Sequence, residues 1–299
     1  MDFVVQAARL PAPGETVLGR DFRMIPGGKG ANQACAVGRL ARACRARMVG
    51  RVGEDPFAGQ LTASLAAAGV DVAHVYATPG QATGIAQIWV ESGGQNSIVV
   101  APGANGALTA TDVHRARPAF DGARCALFQL ESPLEAVAAG LRAARAAGAV
   151  TILDPAPAQP LTAALLSDAD ILTPNESEAC VLLGRPPARL TLDDAGPAAR
   201  ALQALGPRII VLKLGPQGAF ALDGEAELAS PGFAVEAADA TAAGDTFNGA
   251  LAVGLTEGLG LREALRFANA AAAISVTRAG AQASIPTRGE VEDFLAARA

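Results

Sequence analysis

The sequence predicts an α/β protein, with a mostly parallel sheet covered by helices on both faces and a small β-rich subdomain beside it. Three observations carry this. From Cys125 onward, continuous apolar runs alternate with amphipathic stretches, as parallel strands joined by crossover helices do. Earlier, residues 70–76, 84–91 and 95–100 alternate like half-exposed strands, with Gly93-Gly94 as a hairpin turn. Two turns of small residues, near 26–30 and 239–244, each deliver the chain into an apolar-periodic helix.

In order, residues 3–5 read as the tail of a strand, and Pro11, Pro13 and Gly14 mark a turn. Residues 15–18 and 22–25 are short β segments. The Gly-rich 26–30 stretch opens a helix through Ala34, Val37 and Leu40; residues 47–52 are strand-like and 55–68 helical. Residues 125–130 form a continuous apolar strand, 133–147 a helix and 150–154 another strand. Strands at 170–174, 209–213 and 219–221 follow, with helical stretches between. One domain over 1–299 is expected, with a lid-like subdomain from two separated segments, about 10–26 and 82–102.

Composition narrows the function. Apolar residues are 51% of the chain and aromatics only 4%, so aliphatic side chains and closely packed helices must fill the core. The net charge is −5 and the basic residues form no stripe, which argues against nucleic acid as a partner. The longest uncharged apolar run, 267–276, is too short to span a bilayer, and no secretory signal opens the chain. Cys35, Cys44, Cys125 and Cys180 lie far apart without metal-site spacing, as reduced thiols of a cytoplasmic enzyme would.

The stretch Asp-Ala-Thr-Ala-Ala-Gly-Asp-Thr-Phe-Asn-Gly, 239–249, is a tight turn entering a helix. The first turn of a helix has unpaired N–H groups and a positive dipole end, so an anion can sit there. Ala242, Ala243 and Gly244 would let a phosphate close to the amides. Asp245 beside it is either a helix cap or a base that takes a proton from an attacking hydroxyl. The Gly27-Gly28-Lys29-Gly30-Ala31-Asn32 segment is not a Walker A loop, because Gly follows the lysine. It suits either a polyhydroxylated ligand or a capped surface turn. Glu131 closes an apolar strand, where α/β ligands bind, or is a solvated strand-end acid. Asn175 and Glu178 share one helical face and offer hard oxygen ligands for Mg²⁺, or simply cap a helix.

Residues 242–249, Ala-Ala-Gly-Asp-Thr-Phe-Asn-Gly, resemble the C-terminal signature of the PfkB-type (ribokinase family) sugar kinases. Residues 26–34, Pro-Gly-Gly-Lys-Gly-Ala-Asn-Gln-Ala, resemble their N-terminal signature, and the resemblance runs almost the length of the chain. It implies a three-layer α/β/α domain with a β-sheet lid. The implied reaction is phosphorylation of D-ribose by ATP at the 5-hydroxyl, giving D-ribose 5-phosphate and ADP. Asp245 would be the base, with Ala242, Ala243 and Gly244 lining the anion hole. Sugar contacts would come from Asp2, Gly28, Lys29, Asn32, Glu131 and Asp245. The nucleotide would lie against Asn175, Lys213, Leu214, Gly215, Pro216, Gln217, Gly218, Gly244 and Asn269. Glu178 would belong to the Mg²⁺ environment. A K⁺ ion would be held by Asp239, Thr241, Ser275, Arg278, Gly280 and Ser284, the middle ones mainly through backbone oxygens. A homodimer through the lid is implied too, and Ile85, Ile88 and Val90 on edge strands fit that.

Two departures stand out. Position 269 is Asn where these kinases often have His. Their opening strand, ending Gly-Ser-x-Asn-x-Asp, aligns here only through Met1-Asp2, so a central strand is expected to be missing. Either the start lies upstream, or stability and sugar affinity are reduced. The remaining alternatives are a kinase for deoxyribose, another small sugar or a nucleoside, and an impaired kinase that only binds sugar.

Overall fold

Apolar runs become strands and Ala-rich periodic stretches become helices, largely in the predicted order. The computed structural model describes residues 1–91 and 96–298, so the Gly93-Gly94 turn lies outside the described residues. The first part holds β1 (Asp2–Ala7), β2 (Gly19–Ile25), α1 (Lys29–Leu40), β3 (Ala46–Val52), α2 (Pro56–Ala67), β4 (Val70–Ala77), β5 (Ile85–Glu91) and β6 (Asn96–Ala101). The α/β alternation follows as α3 (Ala110–Arg115), β7 (Cys125–Phe128), α4 (Leu134–Ala146), β8 (Val150–Leu153), α5 (Ala163–Leu166), β9 (Ile171–Leu172), α6 (Glu176–Leu182), α7 (Leu192–Gln203) and β10 (Ile209–Lys213). The hairpin β11 (Gly218–Asp223) and β12 (Ala226–Pro231) leads to α8 (Ala243–Thr256), α9 (Leu261–Ser275) and α10 (Arg288–Ala296).

The main sheet has the order β12-β11-β10-β9-β8-β7. Strands β7 to β10 run parallel, and β11 and β12 add an antiparallel edge. Side chains alternate along β10: Ile209 and Val211 join one buried cluster, Ile210 and Leu212 the other. The first cluster packs α1, α8 and α9 on one face, and the second packs α4, α6 and α7 on the opposite face. That is the three-layer arrangement.

Three features differ from the sequence reading. The parallel strands do not form one sheet: β3 and β4 pair only with each other, and α1 lies across β3 and β7. The strand expected at 3–5 runs from Asp2 to Ala7 and lies inside the small sheet, whose order is β2-β1-β5-β6. It pairs antiparallel with β2 and parallel with β5. Residues 15–18 are not a strand. Glu15 pairs with Arg9 and accepts from the Ala12 N–H, which closes a local loop in place of a ladder.

Helices α1 and α8 approach closely because Gly249 has no side chain. A Cβ there would lie 2.5 Å from Ala36 Cβ and 2.9 Å from the Gln33 carbonyl oxygen. Gly249→Ala is therefore expected to cost about 1–3 kcal/mol by overpacking, read as a lower urea midpoint at unchanged slope; an unchanged midpoint would contradict this packing.

Candidate active site

The two small-residue turns meet. Gly28 (φ 99°) starts α1 in a conformation that suits glycine, and the Lys29 N–H donates to Glu131 Oε2 at 2.9 Å. Asp2, at the start of β1, lies so close to Gly27 that a Cβ there would sit 2.0 Å from Oδ2. Asp2, Gly28, Lys29 and Glu131 thus come together from three elements.

Asp245 lies in the first turn of α8 and is 7% exposed. It does not cap its own helix, whose N-cap has no side-chain capping bond. Its oxygens accept instead from α1: Asn32 Nδ2 donates to Oδ2 at 2.9 Å, and Gln33 Nε2 to Oδ1 at 3.0 Å. The Asn32 side-chain amide oxygen Oδ1 is buried beside it without a protein partner. Ala242, the N-cap, has φ 59° and is the one non-glycine residue with positive φ among the described residues. Such backbone costs on the order of 1 kcal/mol and is retained where the turn itself is used.

Asp154 and Gln33 are the residues that sequence reasoning missed. Asp154 follows β8 and is 2% exposed; its Oδ1 accepts from Lys213 Nζ at 2.8 Å and its Oδ2 from Gln33 Nε2 at 2.9 Å. Gln33 is itself held by Gln129, whose amide donates to its oxygen. The rule that placed Glu131, an acid just past a parallel strand, applies equally to Asp154. Lys213 is also drawn in by its ammonium, beyond its place in a turn.

Asn175 and Glu178 close a reciprocal cap on α6. Asn175 donates to both Glu178 oxygens, at 2.7 Å from its N–H and 2.9 Å from Nδ2, while the Glu178 N–H donates to Asn175 Oδ1 at 2.8 Å. In the turn after β10, Gly215 is open, but a Cβ on Gly218 would lie 2.2 Å from the Ser230 carbonyl oxygen. Gly218 is therefore bare because β12 packs on it. Leu214 is fully buried, Pro216 lies in the turn, and Gln217 donates to the Leu190 carbonyl. Asn269 donates to the Ser230 carbonyl and hydroxyl at 2.9 and 3.0 Å, fastening α9 to β12.

Of the six residues expected around a cation, three are brought together. Asp239 accepts from the Thr241 N–H and hydroxyl and from the Gly280 N–H. The Ser275 and Ser284 hydroxyls bond within their own turns, and the Arg278 guanidinium pairs with Glu290.

Burial pushes the carboxyls of Asp2, Glu131, Glu178 and Asp245 above their ordinary range. For Asp245, Lys29 and the two α1 amides oppose the rise, and Asp154 adds to it. Burial also works against the charges of Lys29 and Lys213. The surrounding carboxylates, Asp245 foremost for Lys29 and Asp154 for Lys213, outweigh it and hold both ammoniums charged.

The chain matches the model of the pfkB family carbohydrate kinases over residues 1–288. It is 40% identical over 294 residues to the ribokinase of Haemophilus influenzae, spanning 98% of this chain and 95% of that protein. It is 41% identical over 295 residues to the ribokinase of Bacillus subtilis, spanning 99% and 96%. The structure of Arabidopsis thaliana ribokinase complexed with ribose and ATP is similar at TM-score 0.88 and 34% identity, spanning 98% and 95%.

A buried acid with a raised pKa destabilises the empty protein as pH rises. Below its ordinary 3.8, Asp245 is protonated folded or unfolded and contributes nothing. Above that the unfolded chain releases the proton first, and stability falls until pH passes the raised folded value. The melting temperature of Asp245→Asn relative to wild type should therefore increase as pH rises above 3.8 and level once pH passes the raised folded value. A difference independent of pH would refute the assigned shift.

Proposed function

Because the chain belongs to the pfkB family of carbohydrate kinases, we propose that it transfers the terminal phosphoryl group of ATP to the 5-hydroxyl of D-ribose, giving D-ribose 5-phosphate and ADP. The observation that carries this reading is the buried Asp245 carboxylate, held by α1 at the uncapped start of α8. Asp245 takes the hydroxyl proton as the sugar oxygen attacks. The N–H groups of the 242–245 turn meet the negative charge on the phosphoryl oxygens, and such fixed dipoles with positioning do most of the work in this chemistry.

Asp2, Lys29, Asn32 and Glu131 offer a hydroxyl-rich ligand several acceptors and one ammonium donor, including the unpartnered Asn32 oxygen. The nucleotide lies along Asn175 and the 213–218 turn, with Gly244 at its phosphate end and Asn269 toward the base. No group of three or more His, Cys, Asp or Glu side chains gathers for a metal among the described residues. That donor set fits Mg²⁺, which keeps phosphate and water ligands and needs few from protein; Glu178 is the nearby carboxylate. When bound, the ion neutralises phosphate charge. K⁺ would be held next to the anion turn by the loop that Asp239, Thr241 and Gly280 tie together, with backbone oxygens near Ser275, Arg278 and Ser284. No helix among the described residues is long and apolar enough to cross a membrane, and the four thiols are unpaired, which supports a cytoplasmic setting.

The lid sheet supports a homodimer. Phe22, Met24, Ile98, Val99 and Val100 are each more than half exposed on it. Sedimentation should find a dimer that Ile98→Glu or Val99→Glu, one on each face, converts to monomer; a monomeric wild type would reject the interface. D-ribose should support ATP turnover, faster in KCl than in NaCl. Asp245→Ala should lower kcat by about 10²–10⁴-fold while ribose binding changes far less. Ribose-independent hydrolysis alone, or stronger turnover with 2-deoxyribose, would displace this substrate.

A further inference from the structure

We propose that Lys213 is a catalytic residue whose ammonium binds the transferring phosphoryl group, and that Asp154 is the positioning residue that holds it there while Gln33 ties Asp154 to the base. This rests on the kinase reading, though not on which sugar is phosphorylated.

The geometry spans three elements. Lys213 ends β10, Asp154 follows β8, and Gln33 lies in α1. The Lys213 and Asp154 side chains are 12% and 3% exposed, with 2.8 Å between Nζ and Oδ1. The ammonium also lies against the anion turn, since a Cβ built on Gly244 would be 3.5 Å from Nζ. A cation beside the positive end of a helix is repelled by it. Burying an ion pair there is a poor way to gain stability. Nor is the pair needed to join its strands, because β9 lies between β8 and β10 and pairs with both. The arrangement becomes favourable when an anion enters the turn, because ammonium and N–H groups then share it.

Asp154 has a second role through its other oxygen. Gln33 Nε2 donates to Asp154 Oδ2 at 2.9 Å and to Asp245 Oδ1 at 3.0 Å. One amide therefore sets the spacing between the acid that holds the phosphoryl clamp and the base that receives the hydroxyl proton. In-line transfer needs that spacing fixed, because small misplacements of reacting groups are costly. No proton passes along the strap. The hydroxyl proton goes to Asp245, and the phosphoryl group leaves the ADP oxygen for the sugar oxygen.

The test is calorimetric titration of the full chain with β,γ-methylene-ATP and with ADP, in Mg²⁺ and without sugar. Lys213→Met should weaken the triphosphate analogue by about 10-fold or more and ADP by less than about 2-fold. Lys213→Arg should recover part of that selectivity. Asp154→Asn should act in the same direction, and the Asp154→Asn/Lys213→Met double variant should be no weaker than Lys213→Met alone. The double variant removes both charges together, so it leaves no orphaned ion and reports even if Lys213→Met unfolds. Equal losses for both nucleotides, additive losses, or a wild type that binds neither would overturn the proposal. With sugar present, Asp154→Asn should lower kcat more than it raises the sugar KM. It should also move the acid limb of the pH–kcat profile to lower pH, because one negative charge facing Asp245 is gone while Asp2, Lys29, Glu131 and Lys213 remain. An unmoved limb is what a purely structural pair would give. If the wild type binds both nucleotides but phosphorylates no pentose, the ribose reading falls, and the nucleotide titrations still decide this proposal.

Discussion

Two hydrogen bonds from α1 to Asp245 set the rest of the structure. Asn32 and Gln33 are adjacent in one helix, and each donates to a different oxygen of the same carboxylate. Both helices must therefore lie at one separation and one rotation. Gly249 provides the separation by letting Ala36 and the Gln33 carbonyl approach α8 directly. The turn before α8 provides the rotation, with Ala242 held in left-handed backbone so that Asp245 falls in the first helical turn. The three layers exist to hold these two helices against a sheet whose strand ends supply Glu131, Asp154 and Lys213.

The electrostatics follow the same logic. Five carboxylates, Asp2, Glu131, Asp154, Glu178 and Asp245, converge with two lysines, and four of the acids have their charged form disfavoured. An empty site of this kind works against the fold. Ala-rich packing between α1, α8 and α9 and the aliphatic clusters on both sheet faces offset that cost. Carboxyls whose burial disfavours their charge cluster at functional sites, and here they gather where the two small-residue turns meet.

What was legible in the sequence was local. A run of small residues before an apolar helix identifies the turn into α8, where Ala242 takes left-handed backbone. The Gly-rich start of α1 was legible for the same reason, and alternation gave the layer order. What was hidden depends on residues far apart in the chain. Gln33 reaches Asp154 and Asp245 across more than a hundred positions, and no period or turn chemistry marks it. Gly218 shows a constraint of the same kind: its lack of a side chain makes room for β12. Asn269 reads as a lone polar residue in an apolar helix, and its amide fastens β12. The strand read at 3–5 spans 2–7, and its six residues carry no sign of which sheet they join. Its partners β2 and β5 decide that.

The position of β1 has a consequence for assembly. Asp2, packed on Gly27, is the first residue of a strand whose flanks are both hydrogen-bonded, one to β2 and one to β5. The exposed apolar side chains of this sheet are borne by β2 and its far neighbours, so a second subunit seated on them would restrain the strand that carries Asp2. Were such a dimer to form, subunit association and occupancy of the pocket would be linked equilibria, each strengthening the other by the same factor. Half-saturation by the acceptor would depend on how much enzyme is present, and dilution would act on this protein as a weak competitive inhibitor does.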